Sequence, residues 1–186
     1  MEGLEKALVR ETADLLRNVH LPRLGTALEV LPEGDLWWRP HPGCMSFGNI
    51  LLHLEGNVRQ WILAGLGGEE DRRCRRTEFV AAVECTSDEL LATLARTVRQ
   101  ASDLILGLGR EELLAPRRIQ GMATTGLSAL LHVAEHFSWH VGQAVWIAKM
   151  RAGPDHGIAF YDEAAINRPA DGSGRRQGES SDPADR

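Results

Sequence analysis

The chain has 186 residues, 43% of them hydrophobic and 25% charged, and a formal net charge of −5. The length predicts one domain that can bury about two-thirds of its unfolded surface, and the composition is typical of a soluble globular protein. The negative charge excludes a general attraction to nucleic acid, and no apolar run approaches the ~20 residues of a membrane span.

The first predicted element is a long, bent helix from Glu2 to Leu31. Its leucines and valines recur at a spacing of roughly 3.6 residues, which is the period of an amphipathic helix. Pro22 interrupts the pattern and should kink or divide the helix. The segment LPEGDLWWRPHPGCMS follows, and its prolines and glycines predict irregular structure up to Ser46, which can cap the next helix.

A second helix is predicted over residues 47–66, ending at the C-cap signal of Gly67 and Gly68. The stretch EEDRRCRRTEF comes next and carries the arginine cluster Arg72–Arg76. A charge run of this kind predicts a solvated loop. The alternative is that the arginines receive an anionic substrate or a thiol cofactor.

Two further long helices are predicted. Thr86 and Glu89 form a capping box for a third helix that ends near residue 106. After a short connector, Thr124 or Thr125 can cap a fourth helix that ends near residue 150. Four long amphipathic segments without convincing alternating strands predict an all-α four-helix bundle, a fold in which metal and ligand sites form between facing helices.

The sequence beyond residue 162 is poor in apolar residues and rich in Gly, Ser, Pro and charge. Such a segment cannot offset its ordering entropy by burial. We therefore expect a domain over residues 1–162 and a disordered tail over residues 163–186.

Cysteine usage and the N-terminal sequence bear on location. The three cysteines are an odd count without a CxxC pair, which indicates a reducing compartment. The first residues, MEGLEKALVRETADLL, carry charge at every turn and do not resemble a signal peptide. We expect a cytoplasmic protein without a membrane partner.

Three histidines, His132, His136 and His140, recur every fourth residue in the fourth helix. Neighbouring members lie one turn apart, with Cβ atoms ~6 Å apart, which suits two bonds to one metal ion, whereas His132 and His140 are roughly 12 Å apart. This helix therefore offers one ion either His132 with His136 or His136 with His140, and a third ligand must come from elsewhere. His53, on an otherwise apolar segment of the second helix, is the natural candidate because a buried imidazole without a partner is costly.

The alternative is that His53 and one histidine of the fourth helix are core residues, hydrogen-bonded to the backbone or a carboxylate. A resemblance favours the metal. The segment HVAEHFSWHVGQ resembles the last-helix signature HxxxHxGQ of the DinB-like superfamily of metal-binding four-helix proteins, which includes YfiT-type hydrolase-like and mycothiol-dependent proteins. The segments WWRP, GNILLHLEGNVRQW and GIAFYD resemble one uncharacterised branch of it, so the resemblance covers residues 36–162.

The resemblance implies an up-down-down-up bundle with a long connection between the second and third helices. It also implies His53, His136 and His140 as the metal ligands and leaves His132 as a neighbour of the site. Two polar residues one turn beyond predicted ligands, Asn57 and Gln143, could hydrogen-bond a ligand or a bound water, with capping or packing as the alternative role. No residue stands out as a general base, so the catalytic residues are not predicted.

Three protein nitrogens leave positions on the ion for water and substrate, as in catalytic rather than structural sites. We expect a divalent ion, Zn or Ni first, although the ligand set also admits Fe, Mn or Cu. The resemblance implies a hydrolase, or a transferase or isomerase that uses a low-molecular-weight thiol. The alternative is a non-catalytic metal-binding or stress-associated structural protein. Apolar, Trp-bearing helix faces and the superfamily precedent predict a homodimer.

Overall fold

The computed structural model describes residues 3–80 and 85–166 of the chain, and this part is mostly helical. Helix α1 (Leu4–Asp14), a π-helical segment (Leu15–His20) and helix α2 (Leu21–Glu29) follow one another without a break. Pro22 therefore lies in the first turn of α2, and because α2 continues the preceding segment, Pro22 contributes no N–H to the hydrogen bonds that link the two. The predicted interruption at this proline is a change of helix type.

Helix α3 (Phe47–Val58) begins at the predicted cap and continues into a second π-helical segment (Arg59–Ala64). The Ser46 hydroxyl accepts a hydrogen bond from the Asn49 backbone N–H at 3.1 Å, and the Asn49 side chain accepts one from the Ser46 backbone. This reciprocal pair satisfies two donors that the start of the helix would otherwise leave free.

Helix α4 (Arg75–Val80) replaces the second half of the predicted solvated loop. It packs against α3, and its Glu78 side chain is buried, so the interpretation of this stretch as solvent-exposed throughout was wrong. The physical reason is the partner: a buried carboxylate is tolerated when a buried arginine pairs with it, and Arg73 supplies that pair.

Helix α5 (Ser87–Leu106) begins at the predicted capping box of Thr86 and Glu89. The connector after it contains helix α6 (Arg110–Leu114) and an antiparallel hairpin of strands β1 (Pro116–Ile119) and β2 (Met122–Thr125).

The hairpin corrects the expectation that the chain lacks strands. Its turn is Gln120-Gly121, and both residues have positive φ, 53° and 78°, as the favoured two-residue hairpin turns require. Thr125 then caps helix α7 (Gly126–Ala152), accepting a hydrogen bond from the Ser128 backbone N–H.

A short helix α8 (Glu163–Ile166) ends the described part of the chain. Residues 167–186, most of the segment expected to be disordered, lie outside the described residues. Within the described part, no helix is long and apolar enough to cross a membrane.

Neighbouring residue pairs give the relative directions of the long helices. Helix α3 meets α7 at His53–His136 and Asn57–His132, and the helix that α3 begins meets α5 at Arg59–Thr97 and Gly67–Leu104. The first helix, formed by α1, the π segment and α2, meets α5 at Arg17–Asp103 and Gly25–Leu91. It meets α7 at Leu8–Leu127 and His20–Phe137. Helix α3 is therefore antiparallel to α7 and parallel to α5, while the first helix is antiparallel to α5 and parallel to α7.

These helices bury one common apolar core. Its largest fully buried side chains come from all the long helices: Leu16, Leu24, Phe47, Ile50, Leu51, Leu94, Ile105, Leu130 and Phe137. The histidines of α3 and α7 lie at the edge of this core, so the rigid packing of the two helices determines where their imidazoles point.

Candidate metal centre

Three imidazoles converge between α3 and α7. The available nitrogen atoms of His53, His136 and His140 all lie within 4.8 Å of one another, so this cluster could hold a metal ion. The Nε2 atoms of His53 and His136 are 3.0 Å apart. Two bonds of about 2.0–2.1 Å at a tetrahedral angle would put their nitrogens roughly 3.3 Å apart, so the spacing fits a zinc-sized ion.

Hydrogen bonds at the far edge of two rings orient them toward this point. Nδ1 of His53 lies 2.7 Å from Oε2 of Glu78, and Nδ1 of His140 lies 2.7 Å from Oε1 of Gln143. The Nη2 atom of Arg73 also lies 3.2 Å from Nδ1 of His53, but the Glu78 oxygen is closer, and both near partners are acceptors. We therefore assign the proton to each Nδ1 and the lone pair to each Nε2. The third ring, that of His136, has a buried Nδ1 without a hydrogen-bond partner among the described residues.

The protonation state of the cluster also suits a metal. Burial, together with the neighbouring His140 and His53, lowers the pKa of His136 to about 3. Burial, with His53 as the next cause, lowers the pKa of His140 to about 4. Both imidazoles are therefore neutral at pH 7, and the neutral ring is the form that binds a metal ion.

The carboxylate behind His53 belongs to a buried ion pair. Arg73 donates to both oxygens of Glu78, from Nε to Oε1 at 2.7 Å and from Nη2 to Oε2 at 2.9 Å, and its Nη1 donates to Gln60 at 2.9 Å. Burial raises the pKa of Glu78, but its hydrogen bonds to His53 and Arg73 outweigh this effect and the pKa lies below its usual value. Glu78 is thus an ionised carboxylate that accepts a hydrogen bond from Nδ1–H of His53.

A glycine in the middle of α3 makes room for this pair. A Cβ atom at Gly56 would collide with Oε1 of Glu78 and would lie 2.9 Å from Nε of Arg73. Glycine costs helix stability relative to alanine, so its use here exchanges that stability for the close approach of α4 to the helix that carries His53.

The pairing of Glu78 with Arg73 behind His53 was not predicted, because their segment was interpreted as a solvated loop. The one signal in the sequence was Gly56 itself, since a glycine inside a helical pattern often marks a close approach.

The remaining predicted residues lie around the cluster. Gln143 contacts the ligand one turn before it, as described above. His132 lies outside the three-histidine cluster: its ring packs on Trp61 with centroids 3.9 Å apart, and its Nε2 is 3.4 Å from Nδ2 of Asn57. Asn57 is therefore next to His132, and its side chain bonds this ring rather than one of the three cluster rings. Burial lowers the pKa of His132.

The fold and the site define a mostly helical protein with a three-histidine cluster that could hold a metal ion. The sequence matches, over residues 8–158, the family described as "Protein of unknown function (DUF1572)". The chain belongs to this DUF1572 family, and the matched range contains all three histidines of the cluster. No curated protein matches the sequence.

Proposed function

We propose that this chain is a divalent-metal-binding protein of the DinB-like superfamily, with His53, His136 and His140 as the ligands. The convergence of three imidazole nitrogens within 4.8 Å is the observation that carries the proposal. The relative directions of the long helices support an up-down-down-up four-helix bundle, because α3 and α5 are parallel to each other and antiparallel to their other neighbours. The all-imidazole ligand set favours Zn or Ni, with Fe, Mn or Cu as other candidates.

The function we favour is metal-dependent catalysis of the hydrolase type, or of a transferase or isomerase type that uses a low-molecular-weight thiol. Three protein ligands leave positions for substrate, and such an ion acidifies a bound water or polarises a carbonyl or thiol. The chain's own contribution is to keep the ligands neutral and oriented: burial excludes protons from His136 and His140, while Glu78 and Gln143 hold the Nδ1 protons of His53 and His140.

A non-catalytic metal-binding role, structural or stress-associated, is the second candidate. One observation favours it: Glu78, the carboxylate hydrogen-bonded to the cluster, is bound by both His53 and Arg73 and so is not available as a base. In this role the ion would link α3 to α7 and stabilise the fold, because metal-binding free energy adds to folding free energy when the unfolded chain lacks the site.

Metal analysis of protein purified without chelator tests both candidates. We expect about one equivalent of Zn or Ni per chain and its loss in His136→Ala. Protein that holds no metal and takes up none on reconstitution contradicts both candidates.

The two candidate functions differ in the turnover and in the melting temperature that they predict. Catalysis predicts that metal-loaded protein turns over esters or thiol-electrophile pairs and that His136→Ala abolishes this while the melting temperature changes little. A structural role predicts a large fall in melting temperature in His136→Ala and no turnover by the wild-type protein.

We also propose a homodimer in the cytoplasm. Leu4 is 84% exposed and Leu114 55%, and both line an apolar groove with Leu8 and Leu127 at the start of α7. Burying such a surface against a second copy would be favourable. Sedimentation velocity should show a dimer that Leu114→Lys dissociates. The three cysteines are free and exposed, which suits a reducing compartment.

A further inference from the structure

Arg75, at the start of α4, lies beside the proposed metal centre. Its guanidinium carbon lies 4.7 Å from the centre of the Phe79 ring, and the centres of the Phe79 and His53 rings are 5.0 Å apart. One aromatic ring therefore separates the guanidinium from a proposed ligand. The charge of Arg75 also acts on a second ligand, because burial, His53 and Arg75 all lower the pKa of His140.

The side chain of Arg75 has no anionic partner in the described part of the chain. Arg72 and Arg73, in the same segment, each donate hydrogen bonds to a glutamate. Arg75 is exposed, and its contact is with the ring of Phe79, which offers no oxygen acceptor. The five N–H donors of its guanidinium are therefore available to an anion.

Arg75 lies on the accessible side of the histidine cluster. Phe137 and Leu54, each adjacent in sequence to a proposed ligand, are fully buried and close the cluster on the side of the core. His136 and His140 are only half-buried, so the cluster reaches the surface on its other side. Because Arg75 is exposed and its charge acts on His140, it lies at this outer side.

The balance of charge at the centre favours an anion. Imidazole ligands are neutral, so an ion held by three of them keeps both of its positive charges. Glu78, the carboxylate hydrogen-bonded to the cluster, is paired with Arg73, and the two charges of this pair offset each other. Arg75 then adds a further positive charge. A negatively charged group between the ion and Arg75 would be attracted by both, and partial burial weakens the screening of that attraction.

We propose that the substrate of the metal centre is a small organic oxyanion, a carboxylate or a phosphate ester, and that Arg75 binds its charged group beside the ion. The proposal rests on the proposed metal function and specifies its substrate class. Both oxyanions present two oxygens that match two N–H groups of one guanidinium. A neutral molecule of the same shape should bind more weakly.

Calorimetric titration of the zinc-loaded chain tests the substrate class with three probes that share a phenyl ring: benzoate, phenyl phosphate and benzamide. We expect at least one anion to bind saturably and about tenfold tighter than benzamide, which has the shape of benzoate without its charge. The tighter anion identifies the oxyanion. Its affinity should fall as NaCl is added, because salt screens an exposed charge. The zinc-free chain should bind it more weakly, because the ion supplies part of the attraction.

Two variants test the role of Arg75. Arg75→Gln and Arg72→Gln each remove one positive charge from the same segment, so they change the overall charge of the chain equally. Arg75→Gln should weaken binding of the anion about fivefold and leave benzamide binding unchanged. Arg72 is exposed and bonds to Glu70, so Arg72→Gln should bind the anion like the wild type.

The zinc content of every sample separates the failure of this proposal from that of the metal function. The role of Arg75 is overturned, and the metal function stands, if the zinc-loaded chain binds benzamide as tightly as both anions or if the zinc-free chain binds the anions equally well. The same holds if Arg75→Gln weakens anion binding no more than Arg72→Gln does. If the wild-type chain takes up no zinc, the metal function is overturned and the substrate class falls with it.

Discussion

Oε2 of Glu78 lies 2.7 Å from Nδ1 of His53, on the side of the ring away from the Nε2 that faces His136. The carboxylate therefore contacts the imidazole of His53 and does not reach the proposed position of the metal ion. By accepting a hydrogen bond from Nδ1–H it increases the electron density at Nε2 and holds the orientation of the ring. Arg73, through two hydrogen bonds, keeps this carboxylate ionised and in place.

Glu78→Gln should therefore weaken metal binding. The amide retains the shape of the side chain but removes the negative charge that polarises His53, and outer contacts of this kind contribute about 10–100-fold in metal affinity. Competition with a chromophoric chelator measures the zinc Kd. Glu55→Gln is the matched control, because Glu55 is on α3 like His53 but bonds to Arg59 and Thr97. Equal affinities for Glu78→Gln and wild type would refute the role.

Gly56→Ala should disturb the ion pair of Glu78 and Arg73 from the side of α3. The added Cβ would displace Glu78, so zinc affinity and thermal stability should both fall, although alanine alone would favour the helix by about 1 kcal/mol. Gly25→Ala in α2 is the control, because its Cβ would meet only Leu91, at an ordinary 3.9 Å. That variant should raise the melting temperature. A Gly56→Ala protein with unchanged Kd and a raised melting temperature would contradict the close approach.

The lowered pKa values of His136 and His140, about 3 and about 4, couple stability to pH in the metal-free protein. Histidines of the unfolded chain titrate near 6.5, so below that pH the unfolded state binds protons that the folded state excludes. Stability should therefore be complete above about pH 6.5 and fall as the pH drops toward about 3. Burial lowers the pKa of His20 and His132 too, which adds to the same trend.

Urea denaturation at a series of pH values measures this loss. His136→Gln removes one of the excluded protons and should flatten the decline between about pH 6.5 and 5, above the range where carboxylates titrate. His41→Gln, in the exposed segment before α3, should follow the wild type. A wild-type protein whose stability stays constant across this window would show that the folded cluster accepts protons.

The three members of the α7 histidine series should differ sharply in metal content. His140→Ala should lose the ion, because it removes one of three ligands. His132→Ala should keep it and lose about 0.5–1.5 kcal/mol of stability, because it removes the packing of this ring on Trp61 and its contact with Asn57 but no member of the cluster. Elemental analysis and thermal melts give both quantities. Retention of metal by His140→Ala together with its loss from His132→Ala would reverse the assignment of ligands.

Features that depend on local spacing were predictable from the sequence. The caps at Ser46 and Thr86 follow from residues three positions apart, and both were confirmed. The proximity of His136 and His140 follows likewise from their separation by one helical turn.

Features that depend on distant packing were not predictable. Glu78 is 25 residues from His53, and its neighbours in the sequence are mostly charged, so only the folded chain reveals that α4 covers α3. The strands β1 and β2 are four residues each, too short for an alternating pattern to stand out, and the Gln120-Gly121 turn was the local signal.

The π-helical segment Arg59–Ala64 has a consequence for chain length. A π turn holds one residue more than an α turn, so this segment is equivalent to a single insertion in the helix that begins at Phe47. Deleting one residue from it would restore uniform α geometry while the residues downstream keep their facing, because one turn completes the same rotation with or without the extra residue. Ile62 and Leu63 would therefore stay directed at the core. The residues before and after this segment are thus not related by one α-helical period, so the imidazole of His53 and the apolar residues beyond it need not share one.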